Sequence, residues 1–209
     1  MRHSFQRKPE VKPLANERRL KQEGIYSIFK TDDGRSIILR PLRRSDLDAL
    51  VPFANSLVRE KKKNRELGII SFERRMTRAD EKVFLDKTLL NVAKGRGVSV
   101  AAFHGNRLIG HCDIDGRSSR DERHTGLLGI VVAEGYRGVG LGEEMVRTAL
   151  GQASKLGIWV IELEVFASNE AARRVYEKLG FEAFGRIPKK ILRDGRFIDI
   201  VGMYVQLPH

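Results

Sequence analysis

Ile130-Val131-Val132-Ala133-Glu134-Gly135-Tyr136-Arg137-Gly138-Val139-Gly140-Leu141-Gly142 is the stretch on which the fold is decided. Its opening residues are apolar and β-branched, as a buried strand requires. A short turn follows, and glycine then recurs at every second position from Gly138 to Gly142. From Leu141 onward the spacing becomes helical, with Leu141, Met145, Val146, Ala149, Leu150 and Ala153 on one side. Glycines let a backbone approach a ligand closely and adopt positive φ. The unpaired N–H groups of a helix start point outward at the positive end of the dipole. A strand feeding a glycine-rich helix start therefore reads as a cradle for phosphate, and Arg137 adds a cationic donor there. Two common cradles do not fit. Gly138, Gly140 and Gly142 do not complete the dinucleotide pattern G-x-G-x-x-G, and no G-K-[ST] makes a P-loop.

Working outward, Tyr26–Lys30 and Ser36–Pro41 read as strands around the turn Asp32-Asp33-Gly34. Ser45-x-x-Asp48 resembles a capping box opening a helix, which Pro52 is expected to kink or divide. Thr77 is expected to cap a second helix running through Val92. Strands follow over Val98–Phe103, Leu108–Ile114 and Thr125–Ala133, then the helix Leu141–Leu156 and the strand Trp159–Phe166. Asn169 caps a helix that ends at Gly180, and Phe181–Ile191 with Phe197–Gln206 form a last pair. The order ββααβββαβαββ, with one strand–helix–strand crossover from Thr125 to Phe166, indicates an α/β (α+β) sheet protein.

The 209 residues suit one domain, or one domain with an extension, and 41% apolar content is enough for a core. The formal charge of +12 calls for an anionic partner without choosing among nucleic acid, membrane surface and phosphorylated ligand. That excess is local. Residues 1–22 hold seven Lys/Arg against two Asp/Glu, Leu57–Lys82 nine against five, and Ala183–Phe197 five against one. The segment 1–22 is therefore set apart as a basic N-terminal extension, with the domain over 23–209. It lacks the apolar stretch of a secretory signal, and no apolar run approaches the roughly 18–20 residues of a membrane span. Cys112 is the single cysteine, which excludes an intrachain disulfide and fits a reducing cytosol, so a cytoplasmic protein is expected. The five histidines show no helical ligand spacing, so no metal is expected.

Arg137-Gly138-Val139-Gly140-Leu141-Gly142 resembles the [QR]-x-x-G-x-[GA] acyl-CoA motif of the GNAT superfamily of N-acetyltransferases. The resemblance extends further. Ile38-Leu39-Arg40-Pro41-Leu42 through Arg43, Arg44, Ser45 and Asp46 to Leu50 is similar to the family's first strand and helix. Asn169, Ala172, Tyr176, Gly180 and Phe181 match its N-x-x-A-x-x-x-Y-x-x-x-G-F signature. Asp194, Gly195, Asp199 and Met203 match a closing D-G-x-x-x-D-x-x-x-M strand. Together these cover Ser36 to Leu207.

The resemblance implies the acyl-CoA N-acyltransferase fold, a central mixed and mostly antiparallel sheet flanked by helices, and acetyl-CoA as cosubstrate. Ile130, Val131 and Val132 would offer backbone groups to the pantetheine amides, as an added strand does. Gly138, Val139, Gly140, Leu141 and Gly142, with Arg137, would hold the pyrophosphate. A bulge commonly splays this strand from the next, and Gly129 suits such a bulge. Asn169 would contact the arm of the cosubstrate. Tyr176 would protonate the leaving thiolate, and a strand amide near Val131 would stabilise the oxyanion. For the general base, alternation places His124, Gly126 and Leu128 on one face, and only His124 among them titrates near neutrality. Glu122 is nearby, and Glu73 lies in the segment between the first two helices that in the family usually shapes the acceptor pocket. The implied reaction is direct attack of a primary amine, from a protein or a small molecule, on acetyl-CoA in a ternary complex. A homodimer is compatible with the resemblance, and no membrane partner is expected. The alternatives are a non-catalytic acyl-CoA-binding regulator and a basic protein that associates with nucleic acid through its charged segments.

Overall fold

The computed structural model describes residues 23–64, 66–69 and 72–208, so the basic extension at 1–22 lies outside the described residues. Strands β1 (Ser27–Lys30) and β2 (Ser36–Arg40) lead into helices α1 (Leu47–Lys63) and α2 (Arg78–Ala93). Three strands follow, β3 (Gly97–His104), β4 (Arg107–Gly116) and β5 (Thr125–Val132). Then come α3 (Leu141–Lys155), β6 (Val160–Phe166), α4 (Glu170–Lys178), β7 (Glu182–Arg193) and β8 (Arg196–Gln206). The order matches the one read from the sequence. All eight strands form one sheet, β1-β2-β3-β4-β5-β6-β8-β7. Every pairing is antiparallel except β5 with β6.

Helix starts follow local hydrogen bonding. Thr77 and Asp80 form the capping box of α2: the Thr77 hydroxyl accepts from Asp80 N–H, and the Asp80 carboxylate accepts from Thr77 N–H at 2.8 Å. At α1 the expected Ser45–Asp48 box is not formed. A 3-10 turn, Arg44–Asp46, comes first, and buried Asp46 accepts from Arg43 N–H at 2.7 Å. Asp46 is fixed there because both its oxygens receive the Arg40 guanidinium at 2.7 Å, tying the helix start to the end of β2. Pro52 does not divide α1. It lies near the helix start on the exposed side, and the helix continues through it to Lys63.

Helix α3 covers one face of the sheet. Its Leu141, Met145, Val146, Ala149 and Ala153 are fully buried, the larger ones contributing roughly 1.5–3 kcal/mol each. Helix α2 lies over the opposite face, where Phe84 meets the His111 ring edge-on at 5.5 Å. Strand β7 forms an exposed edge. Its pairing with β8 shifts between Ile187 and Ile191, around Pro188, which has no N–H to donate. None of the described helices is long and apolar enough to cross a membrane.

The feature that positions a site is the divergence of β5 from β6. They pair only from Thr125↔Val160 to Leu127↔Glu162. Beyond that, β5 stays with β4 out to Val132↔Gly110, and β6 stays with β8 out to Phe166↔Ile200. The five residues from Leu128 to Val132 thus have a free edge about 15 Å long. The bulge expected at Gly129 is not what opens it. The β4–β5 register runs without a shift through Asp113↔Gly129. The strands part because each follows a different neighbour.

Candidate active site

The turn from Ala133 to Gly140 is fixed at three points. Ala133 N–H donates to the Ile109 carbonyl at 2.8 Å. Tyr136 is buried, its hydroxyl 2.8 Å from His104 Nδ1 and its ring under the Arg35 guanidinium at 4.2 Å. Arg137 turns back into the protein. Its Nε donates to the Val132 carbonyl at 2.8 Å, and its two terminal nitrogens grip both oxygens of Glu60, near the end of α1. The side chain read from sequence as a pyrophosphate cation is therefore engaged in holding the turn. Nothing in the sequence marks Glu60, one acid amid the Lys/Arg-rich run that ends α1.

The candidate cradle is formed by backbone. Gly138 and Gly140 have φ of +71° and +78°, a conformation costing an L-residue roughly 1–2 kcal/mol. Gly140 is the N-cap of α3 and no side chain caps that helix, so its first-turn amides remain available. The β1–β2 turn forms one wall. A Cβ on Gly140 would lie 3.2 Å from Phe29 Cζ and 3.6 Å from both Asp32 oxygens, and Asp32 N–H points at the Val139 carbonyl. A carboxylate thus flanks the candidate cradle, a neighbour that sequence separation concealed. Val139 packs against the core, while Leu141 is buried within it and Gly142 stands at the open start of α3.

Ile130, Val131 and Val132 lie on the free edge of β5. Ile130 pairs with Cys112 and faces α3, whereas Val131 pairs with His111 and faces α2. Tyr176, on α4, is buried against Phe181, their rings 5.7 Å apart. Burial, and secondarily the Cys112 thiol, push its hydroxyl well above the ordinary phenol range. It is therefore a protonated donor on the α3 side of the splay. Asn169 lies three residues past β6, at the open end. Its Oδ1 accepts from Ala172 N–H at 3.2 Å as the α4 N-cap, and its Nδ2 abuts Gly68.

His124 is not brought to the splay. It precedes β5 at the end where β5 and β6 remain paired, its carbonyl accepting from Trp159 and Val160 N–H and its ring 6.3 Å from Trp159. Five residues of strand, about 17 Å, separate it from Gly129. Glu73 and Glu122 are exposed. What the α2 face does hold is a row along β4: His111, Asp113 and Asp115. His111 Nε2 is 3.0 Å from Ser99 Oγ, its Nδ1 is 3.8 Å from Asp113 Oδ1, and Lys87 and Asn91 of α2 reach Asp115 at 3.2 and 3.1 Å. Burial lowers His111 to about 4, leaving the ring neutral. Burial, aided by the Asp115 charge and opposed by Lys87, raises Asp113 to about 7. The alternation of these three residues in a strand was the signal available for this row.

A cleft of about 280 Å³ adjoins the end of β6, bordered by Ser168, Glu66, Asp199, Arg186, Arg193 and Arg196 among others, with Arg186 and Asp199 paired at 2.6 Å. Arg193 donates to the Leu67 and Ile69 carbonyls at 2.7 and 2.6 Å, drawing the α1–α2 connection across to the β7–β8 hairpin.

Comparison with known proteins agrees with this geometry. The pattern of the Acetyltransferase (GNAT) family is matched over residues 64–181, more than half of the chain. The L-amino acid N-acetyltransferase AaaT of Escherichia coli (strain K12) is 33% identical over 101 residues, 48% of this chain and 62% of that protein's length. Among solved structures, the acetyltransferase of the GNAT family from Streptococcus pneumoniae superposes with a TM-score of 0.72 at 24% identity, over 82% of this chain and 99% of its own. The phosphinothricin acetyltransferase from Sinorhizobium meliloti, solved in complex with acetyl-CoA, gives 0.69 at 18% identity, over 82% and 88%.

Proposed function

The chain belongs to the acetyltransferase (GNAT) family, and on that footing we propose that it is an acetyl-CoA-dependent N-acetyltransferase whose acceptor is the primary amine of an amino-acid-sized molecule. The observation that carries this is the splay of β5 from β6 leading into an uncapped, glycine-lined helix start. A thioester-bearing arm fits as an added strand along the free edge of Leu128–Val132. The pyrophosphate fits at the amides of Gly138 to Gly142, with Val139 and Leu141 anchoring that turn in the core. Arg137 keeps the turn in place. Asn169 stands where the arm emerges.

Acetyl-CoA supplies an activated acyl group, and the protein's part is to align it and manage protons. A free β5 amide near Val131 stabilises the oxyanion as the amine adds to the carbonyl. Tyr176, kept protonated by burial, delivers a proton to the departing sulfur. The acceptor enters from the α2 face, between β4, the 66–69 segment and the β7–β8 hairpin. In the cleft beside this route Arg186 is paired with Asp199 and Arg193 holds backbone carbonyls, so a carboxylate would meet Arg196; the E. coli relative is named for L-amino acids. The test is an acceptor screen with mass-spectrometric detection of acetylated products, comparing L-amino acids, their amides and peptide N-termini. Acetylation of free amino acids ahead of their amides is expected. Turnover confined to peptides overturns the acceptor assignment, and acetyl-CoA binding without turnover of any amine overturns the enzymatic reading.

A further inference from the structure

We propose that Asp113 is the proton acceptor for the incoming amine, and that His111 positions it; the proposal rests on the acetyltransferase reading above. The geometry comes first. Asp113 pairs with Gly129, two residues beyond Leu127, where β5 leaves β6. Its carboxylate therefore stands at the head of the splay. Gly129 has no side chain to block it: a Cβ there would lie 3.2 Å from Asp113 Oδ1. The carboxylate thus leans toward the strand along which the thioester would lie. Its side chain is 30% exposed, so an amine or one water can reach it from the α2 face.

Tyr176 approaches the same splay from the α3 side, next to Cys112. Acid and base thus stand on opposite faces of the sheet, so the base cannot simply quench the acid. The other carboxylates of the splay are in ion pairs, Glu162 with Arg117 and Glu164 with Lys190. Among the described residues, no lysine or arginine salt-bridges Asp113.

Burial sets the basicity of Asp113 first, the Asp115 charge raises it further and Lys87 opposes both. On its own strand are Asp115 and His111; from α2, Lys87 reaches Asp115; from β3, Ser99 pairs with it; from β5 comes only Gly129. The Ser99 hydroxyl donating to His111 Nε2 leaves Nδ1–H turned toward Asp113, a tautomer assigned from these partners. At 3.8 Å the neutral ring lies against the carboxylate by contact rather than by a hydrogen bond, and limits where it can turn without neutralising it. The resulting value of about 7 lets Asp113 take a proton near neutral pH.

The proton balance closes. The ammonium gives one proton to Asp113, directly or through one water, and the free amine forms the C–N bond. The tetrahedral intermediate collapses with cleavage of C–S. Tyr176 protonates the thiolate and recovers the second nitrogen proton, and Asp113 returns the first to solvent. The products are the N-acetyl amine, CoA thiol and one proton.

The experiment is the pH dependence of kcat/KM for the best acceptor of the screen, with acetyl-CoA affinity by calorimetry. Wild type should show a limb near pH 7. Asp113→Asn should bind acetyl-CoA as wild type does, lose roughly 100-fold or more in kcat and lose that limb. Because the folded protein favours the neutral acid, the amide should not lower the melting temperature above pH 7. An acceptor whose amine is already neutral at assay pH should be acetylated by Asp113→Asn within about tenfold of wild type. His111→Gln should move the limb upward by about half a unit or more while KM for acetyl-CoA stays unchanged. Asp113→Asn with wild-type kcat and an unmoved limb overturns the assignment and leaves the acetyltransferase reading intact. A wild-type protein that binds acetyl-CoA and acetylates nothing overturns both.

Discussion

Replacing Arg137 with alanine should damage the fold more than the affinity for acetyl-CoA. The reasoning starts from exposure. The Glu60 side chain is 9% exposed and that of Arg137 is 39%. Removing the guanidinium strands a buried carboxylate and takes a donor from the Val132 carbonyl. Breaking a fully buried pair costs about 3–5 kcal/mol. Water reaching the Arg137 side reduces that to about 1.5–3 kcal/mol. For a domain of this size the melting temperature should fall by about 4–10 °C. Adding Glu60→Gln to Arg137→Ala removes the stranded charge, so the double variant should recover about 1–2 kcal/mol relative to the sum of the single losses. Calorimetric titration with acetyl-CoA, below the melting range, should show less than about a fivefold rise in Kd if backbone amides form the cradle as proposed. A hundredfold rise with an unchanged melting temperature refutes this. It would mean that the guanidinium leaves Glu60 for the pyrophosphate, the role first read from the motif.

Four further outcomes are expected. Gly140→Glu should abolish acetyl-CoA binding, because it forces a side chain into a left-handed residue facing Phe29 and adds a charge beside Asp32; unchanged binding by calorimetry would refute the cradle. Asp32→Asn should tighten acetyl-CoA by two- to fivefold at low salt, about 0.5–1 kcal/mol of relieved repulsion, with the gain shrinking at high ionic strength. Tyr176→Phe should reduce kcat by about 10–100-fold while leaving the acetyl-CoA Kd in place; a changed Kd with full turnover would make the ring a packing residue only. Glu81 is buried on α2, and burial, then the Asp80 charge, raise its carboxyl to about 7. Its contribution to stability is full below its unfolded value and is lost as pH rises through about 7. Glu81→Gln should therefore stabilise the protein at pH 8, by at most about 3 kcal/mol, and have little effect at pH 4. Chemical denaturation at the two pH values measures this.

Local signals determined most of the fold. Twelve elements in the right order followed from apolar periodicity and turn residues, and Thr77 and Asn169 cap their helices as their types suggest. The errors lie where a distant partner competes with a local one. Asp46 stands at the start of α1 with its carboxylate held by Arg40 and Arg43 N–H rather than capping the helix, and no spacing between Ser45 and Asp48 reveals that. The opening of β5 from β6 follows from which neighbour each strand keeps, so a bulge at Gly129 was unnecessary.

The glycine-rich run by itself determined a positive-φ turn opening an uncapped helix start, because these are properties of a short segment. It did not determine what its own charged residue does. Arg137 is next to Gly138 in the chain, yet its partner is Glu60, 77 residues away, and only packing brings the two together. The same holds for the proton acceptor. His124 was the titratable group that strand alternation offered, but a strand separates residues by about 3.3 Å each, so five positions carry it out of reach of Gly129. Asp113 belongs to another strand, and only the register that sets it opposite Gly129 gives it a way into the splay. Backbone conformation is written locally. Which side chains meet across the sheet was decided by the tertiary structure, because register and helix docking are set by burial summed over the whole chain.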